Sequence, residues 1–413
     1  MPRPEAASAI GTHDARLRPD LVLMPLGEEV IAFSEEAQCL AGLNTAASCV
    51  VRKMQSGTPV SDLARSLVAD GLAAPHEADQ WVTTVLDALG SSGLLANRAA
   101  VTVRSSQDFD DAAYLAQMAQ AMPAFTPFEA AVEQSYRLLD TCLLVRFGHK
   151  RQRRLVDAVI GHLKTDDGTA PTVTLDINAT MLDNGHIRSD IYRDGIPMAY
   201  AVILTRLGPM VKGLFWSAAV NAHNFQFYIH AGVVGMGDAC VLLPAAPGSG
   251  KSSLTAALTH RGFRYFSDEV ALIEPGTFMV NPMPLAFCAK STGWDLIARY
   301  YPEILSVPTH GRADRKMVRY VPPPADRIQK TPASVSHIVF PHYDKASKTE
   351  LKPIARSEAL ARMMSECLAL RQRLDRNSIE DIIRWIAGIR CYALPFSSLE
   401  EAADLVVGTT TKL

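Results

Sequence analysis

A glycine-rich segment in the second half of the chain constrains its fold more than any other feature. The apolar run Ala239–Pro244 is typical of a buried strand, the loop Ala245–Ser253 follows without a break, and Leu254–His260 has the composition of a helix. A strand, a short loop with glycines and a helix in direct succession form the framework of a Walker A phosphate-binding loop. The sequence therefore predicts an α/β domain built around such a loop.

Most residue types in this loop are suited to holding phosphates. Gly248 and Gly250 let the backbone approach an anion closely, and the following helix adds the partial positive charge of its N-terminus. We expect Lys251 to reach the β and γ phosphates and Ser252 to ligate Mg²⁺. Ala245 stands where the usual pattern has its first glycine. The predicted nucleotide-binding residues are Ala246, Pro247, Gly248, Ser249, Gly250, Lys251, Ser252 and Ser253.

Three further polar residues lie near the loop in sequence. Asp268 and Glu269 follow an apolar segment after the loop helix, and His230 ends another strand candidate upstream of Lys251. Neighbouring residues on an extended strand point to opposite faces. The two carboxylates are therefore expected to have different roles, one towards the phosphates and one as support.

These segments together resemble HPr kinase/phosphorylase and its relatives. The similarity rests on His230–Gly232, Ala245–Ser253, Arg261–Phe263 and Ser267–Glu269. The resemblance implies a P-loop domain on the fold that this family shares with PEP carboxykinases. It also implies ATP as the phosphoryl donor and Mg²⁺ as the cofactor.

The resemblance further implies roles for single residues. His230 and Asp268 would polarise or deprotonate an acceptor hydroxyl, and together with Lys251 they are the predicted catalytic residues. Glu269 would assist Ser252 in holding the magnesium ion. The bifunctional enzymes of the family have a second aspartate where this chain has Glu269, a difference that counts against phosphorolysis and against HPr as the acceptor.

The N-terminal region predicts a second, smaller unit. The apolar runs Leu21–Met24 and Val30–Phe33, separated by a short turn, predict a β-hairpin. The helices predicted to follow it are Thr45–Met54 with Asn44 as N-cap, Val60–Ala69 with Ser61 as N-cap, and His76–Gly90.

This unit resembles the PqqD-like fold, a winged-helix-like module known as a recognition element for precursor peptides of ribosomally made, modified natural products. The similarity rests on Gly42–Ala47, Gly57–Leu63, Asp87–Leu89 and Gly93–Leu95. It implies a precursor peptide as partner, bound through residues 18–97. The alternative, that the unit only packs against the next domain, stays open.

The fold class predicted for the whole chain is α/β: an HPr-kinase/PEP-carboxykinase-like P-loop domain preceded by a small winged-helix-like, PqqD-like α+β domain. The boundaries are 18–97 for the PqqD-like domain, 98–215 for a linker and an α/β lead-in domain, and 216–413 for the kinase-like domain. Elements predicted outside the loop region are Cys142–Phe147, Arg153–Leu163, Thr172–Ile177, Met198–Leu204 and a helix at Ser357–Leu368.

Composition excludes several classes of function. With 41 basic and 43 acidic residues and a net charge of −2, the chain has no overall field that would attract nucleic acid or an anionic membrane. Its seven cysteines are scattered, without a CxxC pair, so neither structural zinc nor a disulfide framework is expected. The opening residues lack the apolar core of a signal peptide. We therefore expect a cytoplasmic protein without nucleic-acid or membrane partners.

The acceptor is left open by the sequence. A Ser or Thr hydroxyl of a precursor peptide is the first reading, a small metabolite or a carrier protein is the second, and a non-catalytic ATP-dependent peptide-binding switch is the third. Lys290 and Arg315 are candidate contacts to substrate or phosphate, the latter in a basic segment that could close over a substrate. A homo-oligomer is possible.

Overall fold

A computed structural model describes residues 15–96, 111–312, 314–370 and 373–410 of the chain. Over these residues the protein is a mixed α/β structure with several sheets. The helices are α1 (Thr45–Gln55), α2 (Val60–Ala69), α3 (Ala78–Ser91), α4 (Asp111–Ala121), α5 (Lys150–Ile160), α6 (Leu207–Asn221), α7 (Lys251–His260), α8 (Trp294–Ala298), α9 (Arg356–Glu366), α10 (Arg376–Ala387) and α11 (Leu399–Thr410).

The strands of the described residues form five sheets. They are β1 (Val22–Leu26), β2 (Glu29–Ser34), β3 (Cys39–Leu43), β4 (Val132–Leu138), β5 (Thr141–Phe147), β6 (Val173–Met181), β7 (Ile187–Arg193), β8 (Ile196–Ala201), β9 (Phe227–Ile229), β10 (Ala231–Met236), β11 (Ala239–Pro244), β12 (Arg264–Ser267), β13 (Ala271–Ile273), β14 (Val280–Asn281), β15 (Phe287–Lys290), β16 (His310–Gly311), β17 (Met317–Val321), β18 (Ser334–Tyr343), β19 (Lys352–Pro353), β20 (Cys367–Leu370) and β21 (Arg390–Phe396).

These elements divide into two compact units. The first, here called unit 1, holds the described residues up to 96 together with 354–365 and 373–391. The second, unit 2, holds the described residues from 111 to 353 with 366–370 and 392–410. The predicted division of the chain into 18–97, 98–215 and 216–413 stays a prediction.

Unit 1 begins with an antiparallel sheet in the order β1-β2-β3. The predicted hairpin is confirmed: Leu26 pairs with Glu29 across a tight turn, where Gly27 has a φ of 64°. The predicted cap of α1 is confirmed as well, because Asn44 Oδ1 accepts the Ala47 N–H at 2.8 Å. The helices and the sheet bury an apolar core that includes Ala32.

Two predictions in unit 1 are wrong in detail. The first is the cap of α2: Pro59 occupies the cap position and no side chain caps the helix, so Ser61 lies inside the first turn. The fixed φ of proline favours the start of a helix without any side-chain bond. The second is the start of α3, which begins at Ala78 rather than at His76.

Unit 2 contains the other four sheets. A five-stranded sheet runs β4-β5-β6-β7-β8, with β5 and β6 parallel, and shares its core with α5 and α6. A six-stranded sheet runs β12-β10-β11-β18-β21-β19 and packs on α7 and α11. Two smaller sheets have the orders β14-β13-β9-β20 and β15-β17-β16. Since β11 and β18 are parallel, both end at the edge of the sheet from which the glycine-rich loop emerges.

Several predicted boundaries in unit 2 are shifted. Helix α5 starts at Lys150, three residues before its predicted start, because His149 N–H bonds Gln152 Oε1 and the Arg151 N–H bonds His149 Nδ1. The predicted helix Ser357–Leu368 spans Arg356–Glu366 and then gives way to β20. No helix within the described ranges combines the length and the apolar character needed to cross a bilayer.

Candidate phosphate-binding site

The glycine-rich loop connects β11 directly to α7, as the sequence predicts. Gly248 and Gly250 have φ angles of 101° and 84°, a left-handed backbone that favours glycine. The Ser249 hydroxyl donates to the Ala246 carbonyl at 2.7 Å and closes the turn. No side chain caps α7, so the N–H groups of its first turn stay available to a bound anion.

Lys251 and His230 meet at the start of α7. Lys251 is buried, and its Nζ lies 2.8 Å from His230 Nε2. His230 Nδ1 lies 3.0 Å from the backbone carbonyl of Glu269. A carbonyl can only accept, so Nδ1 carries the proton and Nε2 accepts from the lysine ammonium. Burial, followed by the charge of Lys251, lowers the pKa of His230 to about 4, which keeps the imidazole neutral.

Asp268 forms the second part of the site. It lies in a bend after β12 and is 3% exposed. Its Oδ2 accepts the Cys288 N–H at 3.1 Å, while Oδ1 makes no hydrogen bond within the described residues. Burial raises the pKa of Asp268 to about 6, although the Lys251 charge, the Cys288 N–H and the Ser252 side chain all act in the opposite direction. The site thus contains a buried carboxylate oxygen that is available to a proton or a cation.

Glu269 faces a different partner. Its carboxylate forms an ion pair with Lys212, a buried residue of α6. Burial by itself would raise the pKa of Glu269, but the charges of Lys212 and Arg312 hold it below its usual value. Lys212 also lies 5.4 Å from the centre of the Tyr320 ring. In the structure Glu269 therefore forms a salt bridge with Lys212, and its role at a magnesium ion stays a prediction.

The two remaining predicted site residues, Lys290 and Arg315, differ in their position relative to the site. The charge of Lys290 acts on His230, which puts Lys290 at the border of the site. Arg315 is exposed in the turn between β16 and β17, with a φ of 62°, and residue 313 beside it lies outside the described residues. It is Arg312 that reaches inward, with Nη1 3.8 Å from Cys288 Sγ.

Sequence reasoning missed Lys212 and Arg312. For Lys212 a signal is present, because it is the single charged residue in the mostly apolar segment Leu207–Asn221. A lone lysine in such a helix must find a partner when the helix is buried. That partner, Glu269, is 57 residues away in sequence, and no local pattern indicates it.

The residues present fit a magnesium ion beside a bound phosphate. Mg²⁺ commonly takes one or two protein oxygens and completes its shell with phosphate oxygens and water. Asp268 supplies an unbonded, buried Oδ1, and the Ser252 side chain lies close enough to affect its pKa. These two oxygens meet the requirement without Glu269.

Comparisons with known proteins give little further information. No family model matches the sequence, and no curated protein matches it. Among solved structures, the chain is similar to the Hpr(Ser) kinase/phosphatase from Coxiella burnetii, with 14% identity over 45% of this chain and 97% of that one. The TM-score of 0.21 is too low to support an argument about function. The functional reading therefore depends on the site itself.

Proposed function

We propose that this chain is an ATP- and Mg²⁺-dependent kinase that transfers the γ-phosphoryl group to a Ser or Thr hydroxyl. The observation that carries the proposal is the grouping of Lys251, His230 and Asp268 at an uncapped helix N-terminus behind a glycine-rich loop. A cation, exposed amide groups and a buried carboxylate are the parts that phosphoryl transfer requires. The HPr kinase resemblance in the sequence supports the same reaction.

In the proposed reaction, different residues bind the phosphates, hold the magnesium ion and accept the proton. The loop amides and Lys251 hold the β and γ phosphates, and Lys251 leaves His230 to do so. Ser252 and Asp268 are the residues that would hold Mg²⁺, which supplies charge neutralisation on the transferred group. The acceptor oxygen forms a bond to the γ-phosphorus as the bond to the β–γ bridging oxygen breaks and ADP leaves, and the acceptor proton passes to His230 Nε2, the nitrogen that Lys251 has left. The imidazole is neutral and can accept this proton, while Asp268, with a pKa of about 6, is ionised at neutral pH and can hold the cation.

For the acceptor we propose a ribosomally made precursor peptide that is recognised by residues 18–97. Support comes from the PqqD-like sequence pattern and from the three-stranded sheet of unit 1, in which β1 and β3 are the edge strands among the described residues. An extended peptide can add to such an edge through main-chain hydrogen bonds. A metabolite or carrier-protein acceptor, and a non-catalytic ATP-dependent switch, are the alternatives that the experiment separates.

The test is phosphorylation of candidate peptides encoded beside the gene. The full chain is incubated with Mg-ATP and each peptide, and product masses are read for the wild type, Lys251→Ala, Asp268→Asn and Lys330→Ala. Lys330 is an exposed lysine of unit 2 and serves as the matched control. We expect one peptide to gain one phosphate with the wild type and Lys330→Ala, and at least about a hundredfold less product with the other two variants.

The other outcomes have distinct meanings. If ATP binds and turns over but no peptide is modified, the kinase needs another acceptor. If ATP binds without any turnover, the switch reading replaces the kinase. Equal product with Lys251→Ala would contradict the proposal outright.

A further inference from the structure

An exposed aromatic side chain lies beside the glycine-rich loop. Tyr343 is the last residue of β18, the parallel neighbour of β11, so it lies at the edge of the sheet where the loop begins. Its N–H donates to the Ser249 carbonyl at 3.1 Å. Tyr343 is 38% exposed, although tyrosine usually has much of its ring covered. The backbone of Tyr343 is thus bonded to the loop, and its side chain is partly exposed.

A buried phenylalanine supports this ring. The rings of Tyr343 and Phe396 are 5.6 Å apart and tilted by 60°, and Phe396 is 2% exposed. The contact with the loop is close: a Cβ atom on Gly250 would lie 2.6 Å from Phe396 Cζ and 3.3 Å from Tyr343 Cβ. Both aromatic residues therefore pack directly on the backbone that precedes Lys251, and this packing limits how far the Tyr343 ring can move.

We propose that Tyr343 is the stacking platform for the base of the bound nucleotide. The proposal rests on the proposed function, because it requires phosphates at Ala245–Ser253. A nucleotide held there by its phosphates must place its base outside the loop. The partly exposed Tyr343 ring at the loop edge offers that base a flat apolar surface. Stacking would bury one face of the ring and one face of the base, which removes apolar area from water.

This platform has a consequence for the choice of donor. Stacking uses the face of a base, which every base has, whereas discrimination between bases depends on hydrogen bonds to their edges. We therefore expect little discrimination between the bases of nucleoside triphosphate donors. The Kd values of Mg-ATP and Mg-GTP should differ by less than about tenfold.

The test compares a ligand that has a base with one that has none. Kd values for Mg-ATP and for Mg-tripolyphosphate are measured by calorimetry on the full chain for the wild type, Tyr343→Ala and Tyr343→Phe. Tyr200→Ala is the matched control, since Tyr200 is also 38% exposed and lies in unit 2, on β8 of a different sheet. Lys251→Ala reports on the phosphate site itself.

We expect Tyr343→Ala to weaken Mg-ATP by about tenfold or more and to leave Mg-tripolyphosphate unchanged. Tyr343→Phe keeps the ring and should bind both ligands like the wild type, as should Tyr200→Ala. Equal weakening of both ligands by Tyr343→Ala would show that the ring only supports the loop, and unchanged ATP binding would show that the base lies elsewhere. Either result overturns the proposal. If the wild type binds neither ligand, both the stacking proposal and the proposed function fail. If the wild type binds both ligands and only Lys251→Ala weakens them, the phosphate site is supported and the stacking proposal alone fails.

Discussion

Asp268 and Glu269 are adjacent in the chain, but their carboxylates have different surroundings. Asp268 is buried with one oxygen unbonded, and Glu269 is partly exposed and paired with Lys212. The sequence predicts different roles for the two residues from strand alternation, and these roles stay a prediction. Both residues lie in a bend after β12 rather than on the strand, so strand alternation does not separate them. The separation comes from Cys288 and Lys212, which are distant in sequence.

The raised pKa of Asp268 predicts a pH-dependent stability. Its pKa is about 6 in the folded protein against a usual 3.8, so between about pH 4 and pH 6 the folded state binds the proton more tightly than the unfolded state. Stability is therefore lost as the pH rises through this window, by up to about 3 kcal/mol. Asp268→Asn removes the ionised carboxylate.

Chemical denaturation of the wild type and Asp268→Asn at several pH values measures this effect. The variant's advantage in free energy of unfolding should be small near pH 4 and should grow towards pH 7. An advantage that stays the same across this range would show that the Asp268 carboxylate does not titrate as described.

Local sequence patterns predict the elements that depend on neighbours along the chain. The loop, the strand before it and the Asn44 cap are of this kind, since each rests on residues within one or two turns. Strand β3 has no such local signal, because Ala41 and Gly42 give it little strand character. In the structure Gly42 packs against Ser357, and a Cβ on Gly42 would lie 2.5 Å from Ser357 Cβ. The absence of a side chain at position 42 is therefore explained by the contact with Ser357, which lies more than three hundred residues away in sequence.

The caps of α1 and α2 give a matched pair of predictions. Asn44 accepts an N–H bond at the start of α1, so Asn44→Ala should lower the free energy of unfolding by about 1 kcal/mol. Ser61, the cap predicted from the sequence, makes no capping bond, so Ser61→Ala should change it by less than about 0.5 kcal/mol. Denaturant unfolding of both variants measures the difference. A larger loss for Ser61→Ala than for Asn44→Ala would contradict the structure of these helix starts.

At the scale of the whole molecule, unit 1 is completed by late parts of the chain. Glu29 Oε2 accepts the Ser357 N–H at 3.0 Å, and Gln38 Oε1 accepts the Leu374 N–H at 2.8 Å. Contacts of this kind, with residues beyond 350, leave no local pattern in the first hundred residues, so the sequence alone does not indicate them. Removing residues 1–97 would therefore remove the hydrogen-bond acceptors of Ser357 in α9 and of Leu374 just before α10. Peptide recognition is better examined in the full chain with single substitutions.

The central claim is that Ala245–Ser253 binds nucleotide phosphates through Lys251. Titration of the full chain with Mg-ATP by calorimetry tests it most directly, with Lys251→Ala as the variant and Lys330→Ala as the control. The account predicts saturable binding by the wild type and by Lys330→Ala, and an affinity at least about tenfold weaker with Lys251→Ala, because the buried ammonium is lost from the phosphate site. Equal affinity in the wild type and Lys251→Ala, or no binding by the wild type, would contradict the account.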